Sequence, residues 1–103
     1  MRYWDTSSLV PLFVQQPTSH VMRTLYESDS HVLAWSLTEV EVRSAVCRYV
    51  REGGLAAAAA DAAMTQFQIL WSRVVLVSSV DSTKMRAMRL LARTIHERAS
   101  ARS

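Results

Sequence analysis

Two acids, Asp5 and Glu41, are the residues through which this chain could do chemistry. Asp5 closes the stretch Met1-Arg2-Tyr3-Trp4-Asp5 and is followed by two hydroxyls, Thr6 and Ser7, and then by the apolar run Ser8-Leu9-Val10-Pro11-Leu12-Phe13-Val14. That order reads as an N-terminal β-strand that delivers Asp5 to the top of a sheet, with Thr6 or Ser7 opening a helix. Ligands of open α/β sheets sit beyond the carboxyl ends of the strands. A carboxylate flanked by hydroxyls at such a place suits a hard divalent cation such as Mg²⁺. Glu41 falls in the first turn of the helix predicted after the second strand. If the two strands are parallel neighbours, both acids reach one edge of the sheet and could share Mg²⁺ or Mn²⁺. Each acid also has a plainer reading. Asp is a preferred helix N-cap and is favoured by the helix dipole, and Thr38 with Glu41 has the spacing of a capping box. Glu39 lies two positions off the Glu41 face and reads as solvent-facing.

The elements that must hold these acids follow from periodicity. Ser8 to Gln15 makes one or two helical turns, with Leu9, Leu12 and Phe13 on one face and Pro11 tolerated early. Pro17 breaks that helix, and another runs from Thr18-Ser19 to about Glu27 with Val21, Met22 and Leu25 inward. His31-Val32-Leu33-Ala34-Trp35, bounded by turn residues, is a second strand, buried and parallel to the first because a helical pair separates them. A helix from Glu39 to about Glu52 turns Val42, Ala45, Val46 and Tyr49 inward and stops at Gly53-Gly54. Leu55 to Ser72 is an Ala-rich helix anchored by Met64, Phe67, Ile69, Leu70 and Trp71. Val74-Val75-Leu76-Val77 is a third apolar strand, and a last helix is predicted over 82–95, followed by a tail that frays. The order β-α-α-β-α-α-β-α means α/β with a mostly parallel sheet.

Composition bounds the rest. The 103 residues, half of them hydrophobic, make one small domain. With Cys47 as the single cysteine, there is neither a disulfide framework nor a Cys-rich zinc site, and a reducing compartment, the cytoplasm, is expected. The N-terminus has no signal-peptide pattern, and no apolar run is long enough to span a bilayer, so no membrane association is expected. From Asp81 onward six bases (Lys84, Arg86, Arg89, Arg93, Arg98, Arg102) face two acids, whereas residues 1–80 hold six bases and seven acids. The basic character therefore belongs to the last segment, which could track phosphates or simply be a solvated face. Arg43, Arg48 and Arg51 share one helix and are either RNA contacts, solvated side chains or partners of Glu39 and Glu52. His20, His31 and His96 have no ligand spacing, and the methionines read as packing.

The run Tyr3-Trp4-Asp5-Thr6-Ser7-Ser8-Leu9-Val10 resembles the opening of the PIN domain family, specifically the VapC-like toxins of bacterial toxin–antitoxin pairs. The stretch from Ser36 through Thr38, Glu41 and Arg43 to Arg48 is similar to that family's second signature, and Arg51-Glu52-Gly53-Gly54-Leu55 continues in the same style. The resemblance implies a three-layer α/β/α fold and a Mg²⁺- or Mn²⁺-dependent ribonuclease that directs water onto an RNA phosphodiester. It implies Asp5 and Glu41 as catalytic metal ligands, with Thr6 or Ser7 as a hydroxyl beside the metal, a homodimer, and a cognate antitoxin. The chain departs from the family in one respect. The Asp of an Asp-Ala-Leu/Ile helix and a strand ending in Thr-x-Asp, expected after the last helix, are absent, and neither Asp61 nor Asp81 matches them. The expectation is thus a C-terminally truncated PIN-like domain. The alternative is a remnant with little nuclease activity that acts by dimerising or binding an antitoxin, and a third reading makes both acids caps only.

Overall fold

A computed structural model describes residues 1–77. The chain runs β1 (Arg2–Tyr3), α1 (Thr6–Leu9) prolonged by a 3₁₀ turn (Val10–Leu12), α2 (Ser19–Ser28), β2 (Val32–Trp35), α3 (Thr38–Arg51), α4 (Ala57–Trp71) and β3 (Val75–Val77). The three strands form one parallel sheet in the order β1-β2-β3. The α/β class and the parallel pairing of the first two strands therefore hold. The last predicted helix and its basic residues lie outside the described residues.

Register places the site. Arg2 pairs with Val32 and Tyr3 with Leu33, and the Trp4 N–H donates to the Leu33 carbonyl at 2.8 Å. The ladder thus holds the chain up to Trp4, whose indole is 2% exposed, and Asp5 is the first residue past it. Because β1 and β2 are parallel neighbours, the chain leaves both strands at the same edge. The connections that make this possible are helical, as parallel pairing requires.

The core forms where these helices meet the sheet: Leu9 and Val10 from the α1 turn, Met22 from α2, Val32 and Ala34 from β2, Val42 and Val46 from α3. Val21, Leu25 and Tyr49 pack against this cluster half-buried. On α4 the buried residues are Ala60, Ala63 and Phe67, spaced three and four apart as one helix face demands. Small residues at the first two positions let α4 approach closely. The Phe67 ring fills the remainder, edge-on to Phe13 (5.5 Å, 88°) and stacked on Trp71 (5.5 Å, 28°). Ile69 is not an anchor: it is 53% exposed, since it lies two positions from Phe67 and so about 200° around the helix. Val75 and Leu76 are also about half exposed. Among the described residues β3 is an edge strand, so its apolar composition does not bring burial.

The end of α3 shows why Gly53-Gly54 stops the helix. The Gly54 N–H reaches the Tyr49 carbonyl (3.0 Å) and the Gly53 N–H the Val50 carbonyl (3.1 Å). This double bond pattern needs a left-handed residue, and Gly53 supplies it at φ +77°.

The start of α3 corrects the predicted capping box. The residue at the cap position is Leu37, in the right-handed helical region, with no side-chain cap. Thr38 is already the first helical residue. Its side chain is rotated inward, 1% exposed, and its hydroxyl has no hydrogen-bond partner among the described residues. A buried unpaired hydroxyl costs about 1–3 kcal/mol. Replacing it by an isosteric methyl removes that cost, so Thr38→Val is expected to stabilise the fold by about 1 kcal/mol in urea denaturation.

At the opposite edge of the sheet, the carboxylate of Asp29, which follows α2, takes hydrogen bonds from the Met1 amino group and from the His31 backbone N–H (3.1 Å). The ammonium first, and the His31 N–H second, hold its pKa down to about 2. A folded-state pKa below the unfolded one stabilises the fold at all pH values above the ordinary carboxylate range. That contribution is lost as pH falls through about 2. Asp29→Asn is therefore expected to be less stable than the parent at pH 7, with the gap closing between pH 4 and pH 2 in an acid-unfolding series.

Candidate metal and phosphate site

Asp5 holds its place through the first turn of α1. Its Oδ1 accepts from the Ser8 N–H (3.0 Å) and from the Ser7 hydroxyl (2.8 Å). Asp5 is therefore the N-cap of α1, as the plainer reading of this residue has it. That role uses one oxygen. The hydrogen bonds to the Asp5 carboxylate within the described residues fall on Oδ1, which leaves Oδ2 for a further ligand.

Glu41 meets this turn from α3. Its Oε1 accepts from the Thr6 hydroxyl at 3.0 Å, across 35 residues of sequence. Glu41 is consequently not half of a capping box. With Thr38 turned inward, its carboxylate reaches across to the residue next to Asp5. Both acids are half-buried, and neither has a basic partner among the described residues. Glu39 is differently engaged, with Oε2 against the Arg43 guanidinium (3.6 Å) and the Gln68 amide (3.2 Å). It ties α3 to α4 and lies outside the site. Arg43, predicted as an RNA contact, a solvated side chain or a partner of Glu39, takes the last of these roles.

The donor set decides which cation these residues fit. Only carboxylate and hydroxyl oxygens meet here, and among the described residues no group of three or more His, Cys, Asp or Glu gathers anywhere. Hard oxygen donors with no His or Cys among them favour Mg²⁺ or Mn²⁺ over zinc. Mg²⁺ commonly binds through one or two carboxylates, keeping water and substrate phosphate as its other ligands. Two acids with one open oxygen each fit that kind of site.

Beside the acids a groove of about 280 Å³ opens between the α1 turn and α3. Thr6 and Ser7 line it from one side, Arg48 and Tyr49 from the other, with Gln16 and the buried Val10 and Ala45 completing it. Arg48 lies over the Tyr49 ring, 5.4 Å from its centre. The Gln16 amide donates to the Tyr49 hydroxyl at 3.0 Å. Spacing alone gives no reason to single out Gln16, which sits in the connection before Pro17, and it marks Tyr49 only as an inward residue. Among the described residues no helix is long and apolar enough to cross a membrane. No family model, curated protein or solved structure matches the chain.

Proposed function

We propose that this protein is a metal-dependent endoribonuclease with a PIN-like, VapC-like fold. The observation that supports the reading is the bond from Thr6 to Glu41, which brings Glu41 to the turn capped by Asp5; both acids are half-buried, and neither has a basic partner among the described residues. Asp5 and Glu41 would hold Mg²⁺ or Mn²⁺. When bound there, the metal supplies a water of lowered pKa and charge to neutralise the phosphate. Thr6 orients the Glu41 carboxylate, and Ser7 and Ser8 fix that of Asp5, so both oxygens are positioned before a substrate arrives. Arg48, on the exposed side of α3, offers the positive charge that a phosphate backbone requires. By the same resemblance the protein works in the cytoplasm as a homodimer controlled by an antitoxin.

That only two acids gather among the described residues favours one further reading, a weakly active or inactive relative that acts by binding an antitoxin. Incubating the chain with end-labelled RNA in Mg²⁺, Mn²⁺ or EDTA separates them. Cleavage that requires metal supports the nuclease. Its absence at high enzyme concentration, with a folded chain, supports the binding protein.

A further inference from the structure

We propose that the groove beside the acids seats one nucleotide unit of a single-stranded RNA, with Gln16 as the residue that reads its base. The inference deepens the nuclease reading and rests on it. It starts from three observations. Arg48 has no acidic partner among the described residues, unlike Arg43 on the same helix. Gln16 is held at both ends: its backbone N–H donates to the Ser19 hydroxyl at 2.8 Å, and its side-chain amide donates to Tyr49. Ser19 itself is fully buried and bonded to the Val14 carbonyl (3.2 Å), so the anchor is rigid. Finally, the groove combines an apolar floor of Val10 and Ala45 with the Tyr49 ring, two hydroxyls and a cation.

That combination matches a nucleotide better than a purely anionic or purely apolar ligand. A base has flat apolar faces and a polar edge, and its phosphate is anionic. Aromatic side chains and guanidinium planes are the usual platforms for unstacked bases, which only single-stranded RNA presents. A fixed amide offers a donor and an acceptor to a base edge, the pairing by which Gln discriminates bases. About 280 Å³ is at the small end of ligand pockets, which limits the occupant to one unit. The hydroxyl side of the groove is the Thr6-Ser7 turn that carries the acids, so the next phosphate along the strand would lie toward Asp5 and Glu41.

The test is fluorescence anisotropy of the full chain with labelled ten-nucleotide homopolymers of RNA, in EDTA and across a salt series. Wild type should bind single-stranded RNA better than duplex and distinguish among the homopolymers. Arg48→Ala should weaken binding roughly tenfold for every homopolymer and lower the log–log salt slope by about 0.7, while Arg48→Lys keeps the slope. Gln16→Ala should bring the homopolymer affinities together at unchanged melting temperature. The proposal is overturned if both Ala variants bind every RNA as wild type does, if duplex binds as tightly as single strand, or if only acidic peptides bind. Since binding is read without metal, a failed groove shows as lost RNA discrimination. A failed nuclease reading shows as absent cleavage with binding intact.

Discussion

Asp5→Asn is expected to reduce metal-dependent RNA cleavage by at least about 100-fold while leaving the melting temperature unchanged. Substitutions that only support a metal ligand from behind typically cost 10–100-fold, and removing a ligand should cost no less. The separation from stability follows from the dual role of this side chain. Asp5 caps α1 through Oδ1, and Asn caps helices about as well as Asp. The variant therefore keeps the cap and loses the ligand charge. Asp5→Ala loses both, so it should also cost about 1 kcal/mol of stability. Glu41→Gln should behave like Asp5→Asn, because the Gln carbonyl oxygen still accepts from Thr6. An Asp5→Asn protein that cleaves normally would contradict the ligand role, and one that melts as early as Asp5→Ala would contradict the separation of cap from ligand.

Phe67→Ala carries the largest expected cost to the fold, about 3–5 kcal/mol. Domains of this size are stable by about 5–15 kcal/mol in total, so the variant should stand near the edge of unfolding. Phe67 is fully buried and contacts two rings, edge-on with Phe13 and stacked with Trp71. Each such ring pair adds about 0.5–1.5 kcal/mol beyond burial. Its neighbours on the same face, Ala60 and Ala63, are too small to move into the space left. Urea denaturation followed by circular dichroism measures the loss, and a value below 1 kcal/mol would show that the α4 face is not the anchor described above. Phe67→Leu should cost distinctly less, as it retains most of the volume.

The element order could be read in the chain because each apolar run has a period or a length of its own and is closed by Pro17, the Ser28 to Ser30 loop or Gly53-Gly54. Parallel pairing of the first two strands followed from the helical pair between them. What escaped is non-local. The Thr38/Glu41 spacing is that of a capping box, but Leu37 already turns in the helical region and sends Thr38 inward, which no three-residue pattern reveals. Ile69 counted as an anchor because it is apolar, and an Ala-rich helix gives little periodicity to place it. Val75 and Leu76 read only as part of a third apolar strand, and sheet order shows that, among the described residues, they form an edge. Asp5 as a cap was legible in its flanking hydroxyls, whereas the Thr6–Glu41 bond spans 35 positions and needed the fold. Gln16 carries no signal except the Pro after it, since its position depends on the buried Ser19 and on Tyr49 across the groove.

The claim that Asp5 and Glu41 form one cation site is tested most directly by Mn²⁺ binding without RNA, read by electron paramagnetic resonance on wild type, Asp5→Asn, Glu41→Gln and the double variant. The shared site predicts one Mn²⁺ per chain in wild type and weaker binding in either single variant. It also predicts little further loss in the double variant, because each single change already breaks the same pair. Equal Mn²⁺ affinity in all four proteins, or no binding in wild type, would show that the two acids serve only to cap and tether α1.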